Sequence, residues 1–188
     1  MVYYTNMNIF ILDNSPVKSA QYQADKHVVK MILETAQMLS TVHRVLDGSE
    51  YKAPSKSGKT MRKAWRLDTP NENILYLVTH LNHPCTQWAM QSSSNYQWLY
   101  DHFVALCDEY TYRYGKTHMT DTKLRDALSM LPKHIPIGQP TPFVQAMPED
   151  VKNADPVTAY RNYYIQYKNN IVTWNKTRPQ PTWYKETI

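Results

Sequence analysis

Apolar residues near the start of the chain recur at Val17, Ala20, Ala24, Val28, Met31, Met38, Val42 and Val45, close to the period of an α-helix. Ser15 is suited to cap that helix, Pro16 to its first position and Gly48 to its stop near Leu46. A helix this long is expected to kink or split in two. Before it, Met7 to Leu12 reads as a short extended segment leading into a turn.

The pattern changes between residues 48 and 66. Lys52, Lys56, Lys59, Arg62, Lys63 and Arg66 stand against the single acid Glu50, with Pro, Ser and Gly interspersed, which predicts a basic, mobile loop. Asp68-Thr69-Pro70 then predicts a second helix to about Leu81, broken by Asn82-His83-Pro84. A short helix is expected over Cys85 to Met90, an amphipathic one over Asn95 to Tyr114 closed by Gly115, and another over Thr120 to Leu131. Pro132, Pro136, Pro140, Pro142 and Pro148 dictate an irregular connection over 132–148. Asp155-Pro156 opens a last helix to about Trp174, and 178–188 form an extended, aromatic tail. The expected fold is all-α: a single compact helical domain, 1–188, with a long N-terminal helix, a basic loop and that tail.

Composition narrows the function. The 188 residues carry 21 Lys+Arg against 16 Asp+Glu, a formal charge of +5, and the excess is clustered. Clustered positive charge favours a phosphate-bearing partner, with nucleic acid first. Two cysteines, Cys85 and Cys107, without a C-x-x-C pair, support neither a zinc site nor a disulfide framework. The short apolar run Ile9 to Leu12 lacks the features of a signal peptide, and nothing is long enough to span a membrane. Cytoplasmic residence, no cofactor and no metal are therefore expected. Most of the 15 tyrosines and five tryptophans are expected in the core, although such rings also stack on bases.

Three patterns hold candidate chemistry. His27, Lys30, Glu34, Gln37, Thr41 and Arg44 are spaced by three and four, so they stack along one helical face. That face is either a solvated surface with a Lys30–Glu34 ion pair or the polar lining of a cleft. In a cleft, a carboxylate beside His and Lys is suited to acid–base or Schiff-base chemistry. His83 at a helix break, with Asn95 and Tyr96 after it, is a second candidate lining. Ser57-Gly58-Lys59-Thr60 mimics half a phosphate loop, but Ala53 stands where a glycine is needed and no preceding strand is expected. The lysines and arginines around it suit phosphate contacts.

Asp25-Lys26-His27, with Glu34 seven residues after the histidine, resembles the Asp-x-His-(six)-Glu helix of the phage pyrimidine-dimer DNA glycosylases, the endonuclease V type. The tail Arg178-Pro179-Gln180-Pro181-Thr182-Trp183-Tyr184-Lys185 is similar to that family's Arg-Pro-Thr-Trp-Tyr-Lys terminus with two residues inserted. The resemblance implies a compact helical enzyme that excises one base of a damaged pyrimidine pair and cleaves the backbone through an imine. It implies Glu34 as the catalytic acid, His27 as the residue positioning the DNA, and Trp183 and Tyr184 along the duplex. The family's nucleophile is the amine of an N-terminal threonine, whereas this chain begins Met1-Val2 with an alternative start at Met7. The arginines flanking the family's glutamate fall on Leu33 and Gln37.

The expected function is a DNA glycosylase-like enzyme removing a damaged or modified pyrimidine from DNA in a bacterial or phage-infected cell, with lyase activity depending on an available amine. The expected catalytic residues are Glu34, His27 and Lys30. The expected DNA contacts are Lys26, Arg44, Lys56, Lys59, Arg62, Lys63, Trp183 and Tyr184, with Asp25, His83, Asn95 and Tyr96 lining a pocket. The alternatives are a non-catalytic nucleic-acid-binding protein on the same scaffold, or a hydrolase or transferase acting on free nucleotides. The partner is DNA, and the oligomeric state is open.

Overall fold

The computed structural model describes residues 7–55 and 57–184. Lys56, the first residues with Val2, and Lys185 of the tail motif lie outside them. The expected first helix is split into α1 (Pro16–Tyr22) and α2 (Asp25–Asp47). Ser15 accepts from the Lys18 amide at the start of α1, and Gly48 caps α2. The break is tertiary in origin. Gln23 donates to the Ile9 carbonyl at 3.0 Å, and the Asp25 amide donates to the Thr173 carbonyl at 2.9 Å. Both tie the extended Gln23–Ala24 link to distant chain.

The central packing is α2 against α4 (Ser93–Tyr114), with α1 against the same helix. Val28, Met31, Ile32, Leu39 and Val42 of α2 meet Leu99, Phe103 and Leu106 in one continuous core. Burying each such side chain stabilises the fold by roughly 1.5–3 kcal/mol. Gly115 ends α4 in the left-handed conformation at φ 66°, where a Cβ would be strained. Helices α3 (Pro84–Met90) and α5 (Met119–Leu128) flank α2, and α6 (Pro156–Tyr167) closes the chain's last third.

Residues 7–12 cross this core without forming a strand. Their backbone groups are satisfied by side chains instead. Ser19 accepts from the Leu12 amide and donates to the Phe10 carbonyl, and Arg161 donates to the Leu12 carbonyl. Buried backbone must be paired, which explains why polar Ser19 and Gln23 are fully buried.

Three expectations are corrected. First, the basic loop is an antiparallel hairpin, β1 (Ser49–Pro54) with β2 (Met61–Arg66), pairing Ser49 with Arg66 through to Pro54 with Met61. The chain is therefore mostly helical and not all-α. A strand does precede Ser57-Gly58-Lys59-Thr60, but it returns as a second strand and not as the helix a phosphate loop requires. Second, residues 70–81 are not a helix: a short 3₁₀ turn, Pro70–Asn73, gives way to irregular chain. Arg44 accounts for this. Its guanidinium donates to the carbonyls of Trp65, Glu72, Leu75 and Tyr76 and to the Glu72 carboxylate at 2.6–3.1 Å. A helix would use those carbonyls for its own ladder. Third, α6 ends at Tyr167, because the chain beyond peels away to bond Asp25 through Thr173 and Tyr22 through Trp174.

Candidate active site

Successive helical residues step by about 100°, so Lys26, Lys30, Leu33 and Gln37 share one side of α2. The first three are exposed and Gln37 is half-buried. Glu34 lies at one edge of this stripe. Its side chain is 12% exposed, and Oε1 pairs with Lys30 Nζ at 3.0 Å. Burial pushes the Glu34 carboxyl above the usual carboxylate range, against the opposing pull of Lys30, the Asn8 main chain and His80. Oε2 is buried without a hydrogen-bond partner of good geometry. Buried polar atoms are nearly always satisfied; of the six buried side-chain atoms left without such a partner among the described residues, Glu34 Oε2 belongs to the one carboxylate.

The stripe is bounded on three sides. The irregular 74–83 segment crosses α2 toward its C-terminal end, where Thr41 Oγ1 donates to the Thr79 carbonyl and accepts from its amide. On the Glu34 side this segment carries His80 and His83, which line a small hollow with Leu81, Asn82 and Pro84. The Met7 main chain acts on His83, as the Asn8 main chain does on Glu34, so the N-terminal segment links the two. On the other side, Leu33 lines a hollow of about 610 Å³ with Tyr76, Tyr110, Lys116, His118 and Lys123. The Lys123 ammonium sits 4.8 Å from the Tyr76 ring centroid. Two of the three non-glycine residues with positive φ among the described residues, Phe10 at 53° and His80 at 50°, flank this site. Such strain persists only where surroundings enforce it and collects at functional sites.

The comparisons meet this geometry. The family model of the pyrimidine dimer DNA glycosylases matches residues 7–123, more than half the chain. The chain belongs to the pyrimidine dimer DNA glycosylase family. Searches of the curated proteins and of the solved structures return no significant match. The matched span contains Glu34, His27, Lys30 and His83, and it begins at the buried Met7 segment.

Membership gives the chain a glycosylase-type activity on DNA at the level of the family, and among the described residues no helix is long and apolar enough to cross a membrane. Within this glycosylase scaffold the described residues expected from sequence separate into three groups. Glu34, Lys30 and Lys26 stand on or beside the open face of α2, and His83 stands near it. Lys59, Arg62 and Lys63 are exposed on the hairpin. The others are integrated into the fold. His27 is stacked on Phe10 at 4.5 Å between ring centroids and bonds through Nδ1 to the Tyr164 hydroxyl at 2.5 Å. Burial first, then Lys168 and Lys30, lower its pKa to about 3. It is therefore neutral near pH 7, and its ring packs against Phe10 of the N-terminal segment.

Arg44, expected on DNA, is 1% exposed and inward-facing. Asp25, expected in a pocket, is locked to Arg113 at 2.9 Å and accepts from the Asn175 amide. Arg113 also binds Glu109 at 2.7 Å, and Glu109 binds Arg178 at 2.8 Å, which anchors the tail. Asn95 holds the proline-rich connection through the Thr141 amide and hydroxyl, and the Tyr96 hydroxyl donates to the Leu128 carbonyl. Tyr184 is 5% exposed against Trp174, and Trp183 packs edge-on to Tyr22 and Tyr164. The tail rings thus brace His27's partner Tyr164. Sequence reasoning missed Asn8, Tyr76, Tyr110 and His80, since each reaches the α2 face only through a crossing segment or a distant helix. Cys85, beside His83 in sequence, is no nucleophile: burial pushes its thiol up to about 12.

Proposed function

We propose that this chain is a DNA glycosylase that removes a damaged or modified pyrimidine, with Glu34 as the group that acts at the reacting sugar. The observation that supports this most strongly is the Glu34 carboxyl, mostly buried, raised in pKa and with Oε2 unpaired at the edge of an open face. In the proposed reaction the C1′–N bond breaks and its electron pair leaves with the base. The ionised carboxylate stabilises the positive charge left on the sugar. Water then adds at C1′, its proton passes to Glu34, and the departed base takes up a proton from solvent. The raised pKa makes Glu34 a better proton acceptor than an ordinary surface carboxylate.

Chemistry on a stacked base requires a nucleotide to leave the helix. The hollow beside Leu33 has aromatic walls in Tyr76 and Tyr110 and cations in Lys116 and Lys123, suited to a base and its phosphate. Lys26 and Lys30 give the α2 face the positive charge that the phosphate backbone requires. His27 is a positioning residue in this reading, holding Phe10 and through it the segment that carries Asn8.

An imine would require an amine close to C1′, and Lys30, 3.0 Å from Glu34, is the described amine nearest the carboxylate. The test is incubation of ultraviolet-irradiated duplex and of phage DNA rich in modified pyrimidines, with released bases identified by mass spectrometry. Borohydride trapping on abasic DNA, for wild type and Lys30→Ala, runs beside it. A released pyrimidine supports the reading, and a trapped adduct lost in Lys30→Ala adds the lyase step. Release of no base from any DNA would sink it.

A further inference from the structure

The β1–β2 hairpin stands apart from the site just described. It follows α2 directly through Gly48, and among its strand residues only Trp65, at its base, is buried. Lys52 lies directly opposite Lys63, and Ala53 opposite Arg62. Cross-strand partners share a face, so Glu50, Lys52 and Lys63 occupy one side, and Tyr51, Arg62 and Arg66 the other. Both faces are therefore positive.

This is an unfavourable ribbon when alone. Directly opposed like charges destabilise a strand pair, and a lone two-stranded hairpin without an apolar face is marginal in water. Glu50 answers Lys63 at 3.0 Å. Among the described residues Lys52, Lys59 and Arg62 make no ion pair. A polyanion that lies along the ribbon would relieve the repulsion on both faces at once.

The position of the ribbon determines what it reaches. From Glu34 to Gly48 the helix rises roughly 20 Å at about 1.5 Å per residue. The six-residue strands extend up to roughly 20 Å beyond it at about 3.3 Å per residue. Duplex DNA advances about 3.4 Å per base pair, so on a duplex that follows α2, with a ribbon that continues its direction, the ribbon's charges fall roughly six to twelve base pairs from a sugar held at Glu34.

We propose that the hairpin is a duplex-gripping arm, in which Lys52, Arg62 and Lys63 bind the sugar–phosphate backbone at that distance and set a minimum length of DNA substrate. The arm rests on the DNA reading above and on no step of its chemistry. Its targets are phosphates, so it adds affinity without sequence preference.

The test compares the full chain with the triple variant Lys52→Gln, Arg62→Gln, Lys63→Gln. Both are titrated against undamaged duplexes of about 40 and about 6 base pairs at several salt concentrations, the short one closed by a loop so that it stays paired; the shorter length is the lower reach of the arm. On the long duplex the salt slope of the variant falls by roughly two to three units, since each lost phosphate contact removes about 0.9. Affinity falls roughly ten- to a hundredfold at low salt. On the short duplex the two proteins bind within about twofold of each other. The three residues are exposed, and a melting temperature no lower than that of the wild type shows that the fold is kept. An unchanged slope on the long duplex overturns the arm, and so does an equal loss on both lengths. Base release is not read in this assay. A chain that grips long duplex but releases no base keeps the arm and loses the glycosylase reading; a chain that releases base with an unaltered slope does the reverse.

Discussion

Replacing Arg44 by Met tests how the face beside Glu34 is held. Arg44 is 1% exposed, and its guanidinium makes five hydrogen bonds to the 65–76 segment. Met fills much of the same volume, so the loss is electrostatic and not a cavity. Removing one partner of a buried pair typically costs about 3–5 kcal/mol. Glu72, with its side chain 30% exposed, can rehydrate, whereas the Leu75 carbonyl is left buried. A net loss of about 3–5 kcal/mol is expected, which for a chain of this size lowers Tm by roughly 6–20 °C. The assay is calorimetric or circular-dichroism melting of wild type, Arg44→Met and Arg44→Lys. Lysine keeps the charge but not the planar fork, so it should recover less than half of the loss. Because the same segment carries Tyr76 and leads into His80, base release should fall even at temperatures where Arg44→Met is folded. A loss under about 1 kcal/mol would refute the reasoning, for it would mean that the fork does not hold the loop.

The remaining predictions follow from the same geometry. Burial lowers His27 to about 3 and His43 and His102 to about 4, so all three stay neutral in the fold while the unfolded chain takes up protons below about pH 6.5. The stability they carry is complete above pH 6.5 and declines as pH falls toward 4, at about 1.4 kcal/mol per pH unit for each. Tm should thus drop steeply from pH 7 to pH 5, and equal values at the two would show that the imidazoles are not buried neutral. Gly48→Ala places a Cβ 2.4 Å from the Arg44 carbonyl oxygen and 3.0 Å from that of Arg66, so the helix–hairpin junction must shift. A loss of about 1–3 kcal/mol is expected in denaturant melts, and an unchanged midpoint would contradict it.

What was legible in the sequence was local. The α2 period, the Ser15 and Gly115 caps and the Pro156 start are written in residues close together, and the structure has them. The Lys30–Glu34 ion pair was legible for the same reason, since the two residues are one helical turn apart. What was hidden depends on partners far along the chain. Nothing near residue 74 announces that Arg44 will take its neighbours' carbonyls. Nothing near Gln23 shows that Ile9 will bind its side chain. The hairpin was concealed because its strands carry charges where alternating apolar residues would have marked a buried face. The tail's rings fit a surface role as well as a core role until Tyr164 and Trp174 are seen against them.

The central claim is that Glu34 acts at the reacting sugar and is not merely Lys30's partner. The most direct measurement is base release by Glu34→Gln from irradiated duplex, with affinity for the same duplex measured in parallel. Glutamine preserves the shape of the side chain but carries no charge and accepts no proton. The account predicts that release falls at least a hundredfold, the scale of a lost acid–base or electrostatic group, while affinity changes by less than about fivefold, under 1 kcal/mol. Release at the wild-type rate, with the protein folded and bound, would contradict it.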